Sequence, residues 1–172
     1  MTPGPKLEHV FEIQIKGSIQ AVWNEITKRG AVQRPLMDTV LATDLTPGSP
    51  FRYLTPNGKY SLVHGKILEV DPPRRLVHTY QFNLHHDPPS RVTWELQQVG
   101  PDVRVRLVHD QFESETKTYK AVKGGWQGIL QNLKLWIETG DIGFGTKVQY
   151  AMYRVMMPFL PKSCRVPADQ RN

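Results

Sequence analysis

The side chains in this sequence that could do chemistry are few and scattered. Six histidines are present, and imidazole titrates near neutral pH, so each is a candidate acid, base or metal ligand. His85, His86 and Asp87 are adjacent in a loop-like stretch, but neighbours in sequence rarely point at one metal, and no Cys or His-x-x-x-His partner accompanies them. His64, His78 and His109 lie on separate strand-like segments and could meet only in three dimensions. Neither a metal nor a cofactor is therefore expected. No GxSxG elbow, P-loop or dinucleotide fingerprint occurs. The single cysteine, Cys164, rules out an internal disulfide and, in a polar stretch near prolines, reads as a structural thiol rather than a nucleophile. Acid/base work by His78 or His109 with Tyr80 is the one catalytic arrangement on offer, and no catalytic residue is assigned.

A second set has more in common. His64, His78, Tyr80, Trp94, His109, Tyr119 and Trp126 combine apolar bulk with a polar tip, at positions where the local pattern turns them inward. With Leu130 and Leu133 they form a candidate ligand cavity, because small-molecule pockets are mostly apolar with a few polar groups. The competing reading makes each an ordinary core residue whose polar atom finds a partner.

The elements that must position these residues follow from periodicity. Leu7, His9, Phe11, Ile13 and Ile15 alternate with outward residues as a first strand. Ser18 caps a short helix carrying Ile19, Val22, Trp23 and Ile26, and a further helical turn is expected between Gly30 and Arg34. The stretch from Leu36 to Leu45 is ambiguous: Val40, Leu41 and Leu45 could be strand, bounded by the turn TPGSP from Thr46 to Pro50. A hairpin joins Phe51–Leu54 to Tyr60–Val70 around Pro56-Asn57-Gly58, since Asn-Gly accepts a tight turn. Gly65 reads as a bulge that would turn both His64 and Ile67 inward. Leu76, His78, Tyr80 and Phe82 share one face of the next strand. Val92, Trp94 and Leu96 then face Val103, Val105, Leu107 and His109 across the turn at Gly100-Pro101-Asp102.

The long helix is the strongest signal. From Thr116 to Gly140, Tyr119, Val122, Trp126, Ile129, Leu130, Leu133, Trp136 and Ile137 recur at three-and-four spacing, and Gly140 supplies the stop. Gly124-Gly125 in its middle each cost about 1 kcal/mol relative to alanine. Close approach to a sheet, a bend, or open space beside Trp126 would explain them. The order of elements predicts an α+β domain, with a curved antiparallel sheet of six to seven strands wrapped on the long helix and two short helices after the first strand. Beyond it, Val148, Met152, Val155, Met156 and Phe159 share one face of an additional amphipathic helix. That face could pack on its own domain, form a homodimer contact, or meet lipid or a partner protein, and with only Lys147 and Arg154 nearby the lipid version lacks the usual basic face.

Composition bounds the rest. The chain has 172 residues, 39% of them hydrophobic and 22% charged, enough for one core. Its net charge of +6 is dispersed, without a basic run or recognition motif, so nucleic acid is not an expected partner. No apolar run reaches the ~18 residues of a membrane span, and the first residues lack a leader's apolar core, which gives a cytoplasmic expectation.

The segments LEVDPPRRLVHTY (68–80), PPSRVTWEL (88–96), LVHDQF (107–112) and GGWQGILQNLKLWIETG (124–140) resemble the activator-of-heat-shock-protein-90-ATPase-like branch of the START/SRPBCC superfamily. The resemblance runs from Leu7 to Gly140 and implies a helix-grip fold, also seen in birch-pollen-allergen-like proteins. It divides the chain into a helix-grip domain over 1–140 and an extension over 141–172. It further implies a cavity between sheet and long helix, used in relatives for lipid, sterol or polyketide binding and occasionally for catalysis, or a regulatory domain that binds a chaperone. Two departures stand out. The place where many relatives carry tryptophans reads VQRPLMDTVLATDL (32–45), without an aromatic, and the chain continues past Gly140 where many relatives end. Binding of a hydrophobic or amphipathic small molecule is the expected function. The alternatives are a chaperone-linked or regulatory interaction module with a collapsed cavity, and a cyclase- or hydrolase-like enzyme.

Overall fold

A computed structural model describes residues 7–167. The first strand, β1 (Leu7–Lys16), runs into helix α1 (Ile19–Ile26), whose N-terminus is capped by Ser18 accepting a hydrogen bond from the Ala21 amide. Seven more strands follow: β2 (Val32–Gln33), β3 (Thr39–Ala42), β4 (Pro50–Leu54), β5 (Ser61–Asp71), β6 (Arg75–Phe82), β7 (Ser90–Val99) and β8 (Asp102–Phe112). The long helix α2 (Lys117–Thr139) and the shorter α3 (Phe144–Met156) complete the chain, with single 3-10 turns at Met157–Phe159 and Lys162–Cys164.

All neighbouring strands are antiparallel, in the order β1-β8-β7-β6-β5-β4-β3-β2. The sheet is curved and α2 lies in its concave face, the helix-grip arrangement, but it has eight strands rather than six or seven. The additional pairing comes from β2 and β3, too short to show a period. The helical turn expected after Gly30 is absent. Met37 and Asp38 both take positive φ and reverse the chain there, while buried Gln33 donates to the Glu25 carbonyl, so the segment pairs as β2 with β3.

Gly65 does not sit in a bulge. Register is in step on both sides of it, His64 opposite Gln81 and Ile67 opposite His78, and the shift comes later, between Ile67 and Glu69. Glycine is required instead by close approach: a Cβ at Gly65 would lie 2.1 Å from the Thr79 carbonyl oxygen. His64 therefore faces away from Ile67.

Helix α2 buries Val122, Trp126, Leu130 and Leu133 against the sheet, is capped by Thr116, and ends at Gly140 in the left-handed conformation. Asp87, from the His85-His86-Asp87 loop, accepts from the Thr118 amide at 2.8 Å and satisfies a second N-terminal donor. Gly124, Gly125 and Gly128 are exposed, and a Cβ at any of them would meet nothing within 4 Å. The glycines thus leave open space beside Trp126 and are not a point of contact with the sheet.

The residues after Gly140 wrap back over the domain. In α3, Arg154 pairs with buried Asp38 at 2.6 Å, and both Tyr150 and Thr146 bond Asn132 of α2. Further on, Ser163 donates to the Asn83 carbonyl and the Val166 amide to that of Lys59, which places Cys164 in the core. The face of α3 that meets the domain is therefore its polar and aromatic side, and the apolar stripe seen in the sequence points outward.

Candidate functional site

A cavity of about 390 Å3 opens between the β3–β6 part of the sheet and α2, with α3 and its following 3-10 turn as the outer wall. Leu36, Val63 and Phe82 line the sheet side. Val122, Gly125, Trp126 and Ile129 line the α2 side, and Tyr153, Met156, Met157 and Leu160 close it from the C-terminal segment. Among the described residues, no charged side chain borders it.

Its polar character comes from two phenols. Tyr53 of β4 and Tyr80 of β6 both line the cavity, and neither hydroxyl has a hydrogen-bond partner among the described residues. Burial pushes both far above the ordinary tyrosine value, for Tyr53 with a further contribution from neighbouring Tyr80, so both are neutral O–H groups at any physiological pH. The lining hydroxyls of Thr39 and Thr55 are already committed to Leu36 and Asn57.

Trp126 forms the boundary between cavity and core. Its indole Nε1–H donates to His109 Nδ1 at 2.9 Å. An indole only donates, so Nδ1 accepts, and the His109 proton sits on Nε2 and is given to Ser90 Oγ at 2.7 Å. Ser90 in turn donates to the Tyr80 carbonyl at 3.2 Å. The chain of bonds ties α2 to β8, β7 and β6, uses both His109 nitrogens, and holds the indole edge-on to Trp94 at 5.7 Å. Burial, then nearby His78 and His9, keeps the His109 pKa well below its ordinary value.

Of the residues proposed from sequence to line a cavity, Tyr80 and Trp126 do so. His78 is fully buried and stacks on Phe51 at 3.9 Å, with Nδ1 donating to the Thr79 carbonyl and Nε2 unpartnered. Burial lowers its pKa to about 4, against the Thr79 hydrogen bond. Trp94, His109, Leu130 and Leu133 belong to the adjoining core. Tyr119 stacks on His9 at 4.1 Å near the start of α2, and half-buried His64 bonds Asn83 at 2.5 Å. Tyr53 and the α3 wall were not among the residues singled out. The alternation Phe51-Arg52-Tyr53 carries the signal for Tyr53, whereas Met156, largely exposed at the end of α3, and Met157 in the turn beyond border the cavity through a tertiary contact that no local pattern reports. No group of three or more His, Cys, Asp or Glu that could hold a metal occurs among the described residues.

Comparison with known families matches residues 16–138 to the profile described as Activator of Hsp90 ATPase homolog 1-like protein. The chain belongs to that family. Solved structures with the same fold include CalU16 from Micromonospora echinospora, 22% identical with a TM-score of 0.66, covering 91% of this chain and 89% of the other. DynU16, from the dynemicin biosynthetic locus, is 20% identical with a TM-score of 0.65 over 80% of this chain and 49% of its own, so this chain spans about half of it. The Aha1 dimer from Colwellia psychrerythraea is 17% identical, with a TM-score of 0.64 over 78% and 98%. No curated protein matches. The Hsp90-activator-like match ends at residue 138, so α3, which supplies one wall of the cavity, lies outside it.

Proposed function

We propose that this protein binds a neutral hydrophobic or amphipathic small molecule, of lipid or polyketide character, between sheet and α2. The observation that carries this reading is the pair of unpartnered phenols, Tyr53 and Tyr80, on the wall of an otherwise apolar, charge-free cavity of about 390 Å3. That volume falls within the ~300–1,000 Å3 of small-molecule sites. Neither hydroxyl is sealed from the cavity, so a ligand carbonyl or hydroxyl held there would bond them in place of water. The absence of a cation on the wall favours an uncharged ligand, or one whose charged end stays at the mouth.

The family description and the Aha1 relative motivate a second reading, a chaperone-linked regulatory module. The open cavity speaks against its collapsed-core form. A cyclase- or hydrolase-like reading finds no histidine, carboxylate or thiol on the cavity wall.

Native mass spectrometry of the purified protein, before and after denaturation, tests the proposal. A released neutral ligand is expected, with retention weakened about tenfold in Tyr53→Phe/Tyr80→Phe, as for loss of two buried hydrogen bonds. An empty protein that shows no thermal shift with any member of a sterol, lipid and polyketide panel overturns it.

A further inference from the structure

Helix α3 is amphipathic the wrong way round for a helix that only packs on its own domain. Its anchoring face is Thr146, Tyr150 and Arg154, held by Asn132 and Asp38. Its outer face carries Phe144, Met152 and Val155 at 82%, 64% and 72% exposure, with Phe159 at 79% in the turn beyond. At roughly 150–250 Å2 per aromatic side chain and somewhat less for Val and Met, scaled by these exposures, the stripe is comparable with the ~300–600 Å2 of the largest apolar patch on a typical monomer, a size often functional.

Two observations say what covers it. The apolar surface continues into the cavity, because Tyr153 and Met156 are at once exposed and part of the cavity wall, and Leu84 is the same on the opposite rim. The charge of the segment is also one-sided. From Ile142 to Val166 the chain carries Lys147, Arg154, Lys162 and Arg165 and no acidic residue. Lys147 and Arg154 are paired with Asp141 and Asp38, whereas Lys162 and Arg165, just past Phe159, form no ion pair among the described residues.

We propose that α3 and the following turn dock on an anionic lipid surface, with the stripe in the interface and the cavity mouth facing the acyl chains. An interfacial helix of this kind gains from buried apolar side chains and from cations near anionic head groups. A second copy of the chain would also cover the stripe, but it would not supply Lys162 and Arg165 with the anions that a charged lipid surface offers along its whole area. Exchange of a water-insoluble ligand through the mouth rests on the binding function proposed above. The docking itself does not.

The test is co-sedimentation of the full chain with phosphatidylcholine vesicles and with vesicles containing one quarter phosphatidylglycerol. The comparison variant is Met152→Glu/Val155→Glu, whose side chains do not border the cavity. Wild-type protein is expected to bind the anionic vesicles preferentially, and the variant at least about tenfold more weakly with an unchanged circular dichroism spectrum. Lys162→Glu/Arg165→Glu should remove the preference for anionic lipid. Wild-type protein that stays in solution at millimolar lipid, or a Met152/Val155 variant that binds equally well, overturns docking. A micromolar dimer that the same variant dissociates also overturns it, and assigns the stripe to a second copy. Uptake of a fluorescent sterol in the absence of vesicles separates the two ideas. Sterol bound by both proteins, with vesicle binding lost only in the variant, supports docking and ligand binding together. Vesicle binding without sterol uptake supports docking while counting against the cavity.

Discussion

The indole of Trp126 donates to Nδ1 of His109 across 2.9 Å, with both side chains buried. This bond fixes the tautomer of the histidine and the orientation of the ring that walls the cavity. Trp126→Phe keeps most of the packing but leaves His109 Nδ1 without a donor, at a cost of about 1–3 kcal/mol in urea denaturation. Removing the acceptor as well, in Trp126→Phe/His109→Leu, should cost less than the sum of the single changes. Additive losses would count against the bond.

Stability should fall on mild acidification. His78 has a folded pKa of about 4, below the ordinary 6.5 for histidine, so the unfolded chain binds the proton more readily. The sign follows: stability is full above about pH 6.5, declines as pH drops, and levels off below the folded value. A depression of this size corresponds to roughly 3 kcal/mol, and His109 adds a loss of the same sign. Urea midpoints measured from pH 7 to pH 4 should decline for wild type and decline less for His78→Gln; parallel curves would refute this origin.

Gly65→Ala should be among the most damaging single-methyl additions in the sheet. The new Cβ would overlap the Thr79 carbonyl, a backbone atom that cannot rotate away. The cost is expected near 3 kcal/mol, read as a lower thermal midpoint. A bulge glycine would tolerate the change far better.

The three glycines of α2 predict the opposite behaviour. Gly124→Ala and Gly128→Ala add a methyl to an exposed helix without a clash, and each should raise stability by about 1 kcal/mol. Gly125→Leu should be tolerated as well, but it sets a branched side chain on the cavity lip and should lower sterol uptake several-fold. Stabilisation at Gly125 without loss of uptake would move the ligand elsewhere.

Much of the fold was legible because long amphipathic elements announce their period. The facing strands that carry Trp94 and Leu107, the Ser18 cap and the Thr116–Gly140 helix follow from local pattern alone. What escaped was set by contacts distant in sequence. The strand β2 and its pairing with β3 depend on a reversal at Met37-Asp38 that no glycine marks, and Gly65 reads alike whether it bulges or lies under a carbonyl. For the site, Tyr80 and Trp126 were visible as inward polar-tipped residues. The same pattern picks out His109 and Trp94, because alternation reports which face is buried and not whether the space beyond is filled. The α3 stripe shows the limit most plainly: periodicity found the apolar face, but which way it points goes with contacts distant in sequence, Arg154 with Asp38 and both Tyr150 and Thr146 with Asn132.

The outer wall of the cavity is built from a stretch of chain that lies beyond the sheet and the long helix and is fastened to them at a few polar points: Asp38, Asn132, Asn83 and the Lys59 carbonyl. The pocket is therefore modular. Exchanging residues 141–167 for another sequence that keeps those four fastenings would recut its volume and lining while the grip beneath stays as it is, which makes this segment the natural place to redesign what the protein holds.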